Sequence, residues 1–202
     1  MSLSDYLKRH QKSHLIFDFD ETLIKLIIPW QVEFSVGSIK DDLLALDKSI
    51  YESFAKNKIS FSELQNEYIS RFGAKIKDLI IKNNIHFEST YLKDILANPD
   101  LIEFVKRDTE HVMLIWSSNT KPTVERALKK FNLEGKFSKI ITREDVTLIK
   151  PYLEGFEKLY DPSVPKNMYL FVGDSKFDRL AAKEADIDFY YVDYFEVPGK
   201  YW

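Results

Sequence analysis

Residues 15–23, Leu-Ile-Phe-Asp-Phe-Asp-Glu-Thr-Leu, join a short apolar run to a pair of acidic residues. The run from Leu15 to Phe19 predicts a buried β-strand. Asp18 and Asp20 lie at its end, and two positions apart on an extended backbone their side chains would face the same side. The stretch therefore predicts a buried strand that delivers two carboxylates to one edge of a sheet.

Short apolar runs and amphipathic segments alternate along the rest of the chain, outside residues 25–97. Strands connected by helices of this length predict an α/β fold with a parallel sheet covered on both faces. The further predicted strands are Val112–Trp116, Lys139–Ile141, Met168–Val172 and Phe189–Val192. The predicted helices are one that begins near Pro122 and closes at Gly135, Tyr152–Tyr160, and Lys176–Ala185.

Residues 25–97 break this alternation. The sequence from Leu26 to Val36 predicts a short hairpin, and a series of helices follows Gly37. A block of helices between the first two strands of a sheet predicts a separate small unit, a helical cap. The predicted domains are a core of residues 1–24 and 98–202 and a cap of residues 25–97. Helices that simply coat one face of the sheet are the alternative. The predicted cap helices are Lys40–Lys56, Ser60–Phe72, Lys75–Asn83 and Ser89–Leu96.

Composition excludes several classes of function. The formal net charge of the 202 residues is −3, which indicates neither a nucleic-acid nor an acidic-membrane partner. The absence of cysteine excludes disulfides and thiolate metal sites, and it fits a cytoplasmic protein. No stretch approaches the roughly 18 apolar residues of a membrane span, and the polar first residues predict no signal peptide. The sequence does not predict an oligomeric state.

Polar residues follow the predicted strands where each one ends. Ligands bind outside the carboxyl ends of parallel strands, so these residues predict a shared site. Clustered carboxylates repel one another unless a cation is present. Oxygen ligands without cysteine or a neighbouring histidine favour Mg²⁺ over zinc. The candidate residues are Asp18, Asp20, Ser118, Asn119, Lys150, Asp174 and Asp178.

The order of these candidate residues along the chain resembles that of the haloacid dehalogenase-like superfamily, and in particular its phosphatase branches. The matching segments span residues 15 to 178, and four segments in order are far more specific than the Lys-Pro pair alone. The resemblance implies a Rossmann-like three-layer core with a helical cap inserted after the first segment. Glu21 stands where many relatives have Gly. The matching segments are Asp18-Phe19-Asp20-Glu21-Thr22-Leu23, Ser118-Asn119, Lys150-Pro151 and Gly173-Asp174-Ser175-Lys176-Phe177-Asp178.

The resemblance also implies the catalytic roles. Asp18 is expected to be the nucleophile that forms a phosphoryl-aspartate. Asp20 is expected to protonate the leaving oxygen and then to take a proton from the hydrolytic water. Lys150 is expected to offset developing negative charge and to contact the phosphate.

The remaining residues are expected to bind the metal and the phosphate. The Asp18 carboxylate, the Asp20 backbone carbonyl and Asp174 would hold Mg²⁺, with Asp178 as a supporting residue. Ser118 would hydrogen-bond a phosphoryl oxygen, and Asn119 would add its backbone amide. For these two residues, capping of the next helix is the alternative, and Ser117 competes with Ser118 for the phosphate contact. A surface position is the alternative for Asp178 and for Lys150.

The predicted activity is Mg²⁺-dependent hydrolysis of a small phosphorylated metabolite. A phosphomutase acting on a sugar phosphate is an alternative, because it also uses the acid at Asp20. A dehalogenase is disfavoured because that branch lacks this second aspartate. A phospho-accepting signalling module also combines aspartates, Ser or Thr, and Lys on a parallel sheet, but it has no use for Asp20 and no place for the insertion.

Overall fold

The computed structural model describes residues 2–30, 39–56 and 58–195. Two short 3₁₀ turns, Arg143–Asp145 and Lys166–Met168, supplement its helices and strands. The described helices are α1 (Leu3–Leu7), α2 (Ile39–Leu46), α3 (Lys48–Ala55), α4 (Phe61–Phe72), α5 (Ala74–Tyr91), α6 (Pro99–Arg107), α7 (Lys121–Lys130), α8 (Glu154–Leu159) and α9 (Lys176–Ala185). The described strands are β1 (His14–Phe17), β2 (Ile24–Ile27), β3 (Asp94–Ala97), β4 (Val112–Trp116), β5 (Lys139–Ile141), β6 (Tyr169–Gly173) and β7 (Asp188–Tyr191).

Strand β1 lies at the centre of a five-stranded sheet with the order β5-β4-β1-β6-β7. Every pairing in this sheet is parallel. Consecutive residues of β1 point to opposite faces, so Leu15 and Phe17 belong to one hydrophobic cluster and Ile16 to another. The continuous apolar run is thus explained by burial of both faces.

Helices cover both faces of this sheet. On one face α6 and α7 share a hydrophobic cluster with β1, and on the other α8 packs against β4 and β5 and α9 against β6 and β7. The predicted three-layer, Rossmann-like α/β fold is therefore confirmed. The buried helix residues are Leu101, Val105, Val124 and Leu128 on the first face and Phe156, Leu159, Ala181 and Ala185 on the second.

Residues 39–91, here called the helical block, comprise α2 to α5 and have their own hydrophobic cluster. Leu148 is a residue from outside the block that packs against this cluster. The strands β2 and β3 flank the described block and pair antiparallel, with Ile24 opposite Ala97. The predicted domain boundaries fall in this two-stranded ribbon, and the division into core and cap remains a prediction. The cluster contains Ile39, Leu43, Ile50, Tyr51, Leu64, Tyr68, Ile69, Ile76 and Ile80.

Several predicted elements of this region are wrong. The predicted helix Lys40–Lys56 is divided at Asp47, whose side chain accepts hydrogen bonds from the first amides of α3 and so starts a new helix. The predicted helix Lys75–Asn83 is confirmed as part of the longer α5, whereas the predicted helix Ser89–Leu96 gives way to the end of α5 and the strand β3. Strand β2, which includes the start of the predicted hairpin, pairs with β3. Residues 31–36 of that hairpin lie outside the described residues.

Smaller differences concern element ends. Strand β1 ends at Phe17 instead of Phe19, because the chain turns there and three later amides donate to the Phe19 carbonyl. Helix α7 ends at Lys130, and Gly135 lies in the following loop with a φ of 77°. None of the helices in the described ranges has the length and apolar character that a membrane crossing requires.

Candidate active site

Four strands of the parallel sheet end at one edge, and the predicted site residues lie there. Asp18 follows β1, Ser118 and Asn119 follow β4, Lys150 lies in the loop after β5, and Asp174 follows β6. The side chains of all five line one cavity, together with Asp20. The cavity has a volume of about 210 Å³. The structure therefore brings together residues that lie up to 156 positions apart, from 18 to 174.

The turn after β1 aims both aspartates at this cavity. The Asp18 amide continues the parallel ladder by donating to the Val172 carbonyl at 2.9 Å. The Asp20 carboxylate accepts a hydrogen bond of 2.7 Å from the Leu26 amide of β2. Glu21, with a φ of 65°, occupies the left-handed region, which Gly adopts more readily than other residues. The tight turn replaces the extended strand that was expected here, and both carboxylates still line the cavity.

Asp174 and Asp178 are joined by the first turn of α9. The amide and hydroxyl of Ser175 donate to Asp178 Oδ2 at 3.0 and 2.6 Å, and the Asp174 amide donates at 3.3 Å. Gly173 permits this approach, because a Cβ atom there would lie 2.8 Å from the Asp178 side chain. Asp178 is fully buried, so the surface alternative is wrong. It lies behind the cavity and orients the loop that carries Asp174.

Lys150 is the cation of the cluster and is only 4% exposed, so its surface alternative is also wrong. Its ammonium donates to Asp18 Oδ1 and, at 2.6 Å, to Asp178 Oδ1. Burial alone would lower the pKa of Lys150, but the carboxylates of Asp178 and Asp18 outweigh it and raise this pKa above its ordinary value. Lys150 therefore stays charged at neutral pH.

Asp18 and Asp20, the two catalytic candidates, both have raised pKa values. Burial raises the pKa of Asp18 well above its ordinary value, and the neighbouring Asp178 and Asp174 add to this effect, while Lys150 opposes it. Burial also raises the pKa of Asp20 well above its ordinary value, against the opposing hydrogen bond from Leu26. A raised pKa favours the protonated form of Asp20 that a general acid needs.

The loop after β4 places Ser117 and Ser118 in different surroundings. Ser117 is buried, and its hydroxyl accepts from the Asn119 amide at 3.0 Å and donates to Asn119 Oδ1 at 2.9 Å. Ser118 lines the cavity, and Ser117 does not. The Asn119 backbone amide donates to Ser117 in this structure, and its expected use as a phosphate donor remains a prediction. Asn119 lines the cavity together with Ser118.

Sequence reasoning missed three residues of the site: Thr22, Arg143 and Glu88. The Thr22 hydroxyl donates to Asp174 Oδ1 at 2.9 Å and so links two acidic segments. The Arg143 Nε donates to the Ser118 carbonyl at 2.6 Å, and Arg143 lines the cavity. Arg143 lies close after the end of β5, and the rule that selected Asp18 and Ser118 could have found it.

Glu88 gives no comparable sequence signal. It lies on α5 of the helical block and is buried against the loop after β4. Its carboxylate accepts hydrogen bonds from the Thr120 amide at 3.2 Å and from the Thr120 hydroxyl at 2.5 Å. Burial raises its pKa above the ordinary 4.5, although Arg143 and the hydrogen bonds oppose the shift. The helical block thus reaches the amino-terminal end of α7 directly behind Ser118 and Asn119.

The raised pKa of Glu88 predicts a pH-dependent stability. In the folded state Glu88 holds its proton to higher pH than in the unfolded state. The stability contribution of Glu88 is therefore full below pH 4.5 and falls as pH rises to the folded-state pKa. Replacing Glu88 with Gln should remove this dependence. In thermal unfolding from pH 4 to 8, the Tm difference, wild type minus Glu88→Gln, should fall as pH rises and then level off. A difference that rises with pH would contradict the prediction.

The acidic cluster fits a divalent cation. Asp18, Asp174 and Asp178 are buried, and one carboxylate oxygen from each lies within 4.8 Å of the others. Hard oxygen donors of this kind suit Mg²⁺. Two of the three, Asp18 and Asp174, also line the cavity, whereas Asp178 is engaged by Lys150 and Ser175. Asp18 and Asp174 are therefore the side chains that fit a metal ligand role, and Asp178 fits a supporting one.

A second, larger cavity does not compete with this site. It has a volume of about 580 Å³ and lies beside α1 and α6, where Lys8, Arg107 and His111 contribute to its lining. It contains none of the residues that follow the strand ends. The size of a cavity alone therefore does not identify the active site, whereas a cluster of carboxylates with shifted pKa values does.

The parallel sheet and the acidic cluster at its carboxyl edge define an α/β domain with a candidate active site. A family model described as haloacid dehalogenase-like hydrolase matches residues 15–192. The chain belongs to this family, which confirms the resemblance found in the sequence. No curated protein sequence matches the chain significantly.

Solved structures with the same fold are distant in sequence. A haloacid dehalogenase-like hydrolase from Bacteroides fragilis has a TM-score of 0.61 at 20% identity, over 88% of this chain and 86% of that chain. The hydrolase YfnB from Bacillus subtilis, bound to magnesium, has a TM-score of 0.55 at 20% identity, over 93% and 91%. A protein from Clostridium difficile described as a phosphatase has a TM-score of 0.54 at 20% identity, over 89% and 84%. These similarities show the fold.

Proposed function

We propose that the protein is a Mg²⁺-dependent phosphatase that hydrolyses a small phosphomonoester through a phosphoryl-aspartate. The observation that carries this proposal is the placement of Asp18 in one cavity with Lys150, Asp174 and Asp20. Asp18 is the nucleophile, Lys150 supplies a positive charge, Asp174 would hold the metal ion, and Asp20 supplies a protonated acid. A dehalogenase would not need this second acid.

In the first step the Asp18 carboxylate attacks phosphorus. A bond forms between an Asp18 oxygen and phosphorus, the bond from phosphorus to the ester oxygen breaks, and Asp20 gives its proton to the leaving oxygen. In the second step water attacks phosphorus, and Asp20 takes a proton from it. The bond between Asp18 and phosphorus then breaks, so phosphate leaves and the enzyme returns to its starting state.

Positive charge is what permits an anion to attack another anion. Mg²⁺, held by Asp18, Asp174 and the Asp20 carbonyl, would supply charge neutralisation for the transferred phosphoryl group. Lys150 lies beside Asp18 and contributes a fixed positive charge at the same place. Ser118 and Asn119 line the same cavity, where the Ser118 hydroxyl and the Asn119 backbone amide would supply hydrogen-bond donors for the phosphoryl oxygens.

The dimensions of the cavity favour a small substrate. Its volume of about 210 Å³ is below the roughly 300–1,000 Å³ of common small-molecule sites. Trp30 and, from the helical block, Phe61 and Ser62 line it together with the acidic residues. We infer that the substrate is a small phosphorylated metabolite. We also infer that the enzyme is cytoplasmic and has neither a nucleic-acid nor a membrane partner.

A screen of phosphorylated metabolites tests the proposal. With Mg²⁺ present, one or more small phosphomonoesters should release inorganic phosphate. After treatment with EDTA the rate should fall by at least about 10²-fold, because the cation supplies several kcal/mol of transition-state stabilisation. Added Mg²⁺ should restore the rate. Isomerised sugar phosphate without release of phosphate would support a phosphomutase instead, and turnover unaffected by EDTA would exclude the metal.

A further inference from the structure

A side chain of the helical block forms a two-way hydrogen bond with the backbone directly before Lys150. The Nδ2 of Asn66, on α4, donates to the Ile149 carbonyl at 3.1 Å. The Ile149 amide donates to Asn66 Oδ1 at 3.0 Å. Asn66 and Ile149 are both buried and lie 83 positions apart. The carboxamide thus satisfies both backbone polar groups of the buried residue Ile149.

The residue before Ile149 is also bound to the helical block. Leu148 packs against the block's hydrophobic cluster, whereas Val146 and Ile149 belong to a cluster of the sheet. On the sheet side, the Thr147 amide donates to Glu154 of α8 at 2.6 Å. The loop that carries Lys150 is therefore held from both sides. The helical block contacts Leu148 and Ile149, the two residues of this loop directly before Lys150.

The position of Lys150 is sensitive to this loop. Its ammonium contacts Asp18 and Asp178, and both pairs are buried. A charge-assisted hydrogen bond of this kind depends on a fixed distance and direction. The Ile149 peptide precedes Lys150 directly, so a shift of this peptide moves the Lys150 backbone with it.

We propose that Asn66 is a positioning residue that couples the helical block to the placement of Lys150. The block then completes the site by fixing the lysine beside Asp18, in addition to covering the cavity. Displacement of α4 breaks both hydrogen bonds of Asn66 and releases the loop. This inference rests on the proposed function for its kinetic consequences, and the hydrogen bonds themselves can be tested without activity.

A double-mutant cycle between Asn66 and Lys150 tests the coupling. Replacing Asn66 with Ala should lower kcat by about 10–100-fold, as loss of an outer supporting partner does, with a smaller change in KM. In a Lys150→Met background the same replacement should cause no further loss, because the group through which Asn66 acts is gone. Equal losses in the two backgrounds would overturn the proposal.

Asn84 offers a matched control. It is a buried asparagine of α5 whose Nδ2 donates to Gln65 of α4 at 3.0 Å, within the helical block. Asn84→Ala should lower Tm as Asn66→Ala does but leave kcat near that of wild type. If Asn66→Ala unfolds at the assay temperature, Asn66→Asp replaces it, since it keeps the acceptor for the Ile149 amide and loses the donor to the Ile149 carbonyl. An equal loss of kcat in the Asn84 and Asn66 variants would contradict a specific role.

Amide hydrogen exchange separates this inference from the proposed function. The peptide that covers residues 147–150 should exchange faster in Asn66→Ala than in wild type or Asn84→Ala, because the Ile149 amide loses its acceptor. A wild-type protein without phosphatase activity would defeat the proposed function and leave this comparison intact. Unchanged exchange in Asn66→Ala would overturn the coupling whatever the activity.

Discussion

Replacing Asp18 with Asn is expected to abolish turnover and to leave the fold intact. The amide cannot attack phosphorus, and loss of a nucleophile that acts with its partners as a unit costs roughly 10⁴–10⁶-fold in kcat. Lys150 keeps its second carboxylate partner, Asp178, at 2.6 Å. The replacement also removes a buried carboxylate whose pKa is raised by burial. Phosphate release and the mass of acid-quenched protein, which should carry a phosphoryl group only in wild type, measure the result.

Folding and specificity need a control for this variant. A change of about 1 kcal/mol would move Tm by only about 2–4 °C in a chain of this size, and the Tm of Asp18→Asn should stay within that range. Asp41, exposed on α2, offers the same substitution away from the cavity, and Asp41→Asn should match wild type in turnover. Phosphate release by Asp18→Asn at a rate near that of wild type would refute Asp18 as the nucleophile.

The sheet and its chemistry could be predicted because both are local in sequence. Each buried strand is a short apolar run, and Asp18, Ser118 and Asp174 follow the ends of such runs. The rule that parallel strands present their carboxyl ends at one edge then brings Asp18, Asn119 and Asp174 together without any knowledge of loop structure. Sequence reasoning therefore located the cluster that the structure contains.

The helical block was predicted less well because its details depend on contacts that are distant in the sequence. Strand β3 forms against β2, whose residues lie about 70 positions earlier, and its own four residues do not show this pairing. The break at Asp47 is a capping effect inside an otherwise helical pattern. Helical periodicity indicates that α4 and α5 have a buried face, but it does not indicate which loop that face contacts.

The same limit explains why Asn66 and Glu88 were missed. Both are polar residues in amphipathic helices, where a solvent-facing position is the usual expectation. The structure buries both and directs each to a loop that carries site residues. Asn66 binds the backbone before Lys150, and Glu88 binds Thr120, which follows Asn119. The helical block therefore contacts the lysine loop and the phosphate-binding loop through separate buried polar residues.

Replacing Asp20 with Asn is expected to slow both chemical steps. Loss of general acid and base catalysis typically costs about 10²–10⁴-fold. Asn keeps an oxygen for the Leu26 amide, which now donates to Asp20 at 2.7 Å, so the turn after β1 should be retained. An aryl phosphate has an acidic leaving group that needs little protonation, so its first step should suffer less than its second. A burst of the phenol followed by slow turnover should therefore appear in rapid-mixing kinetics.

Comparison of two substrates makes this prediction specific to Asp20. An alkyl phosphate has a basic leaving group, so its first step should become limiting in Asp20→Asn and the burst should vanish. Glu21 is the adjacent carboxylate and also lines the cavity, but it pairs with Lys25 at 3.9 Å, and Glu21→Gln should keep wild-type rates with both substrates. If Asp20→Asn slowed the two substrates equally and showed no burst with either, Asp20 would not be the proton donor to the leaving group.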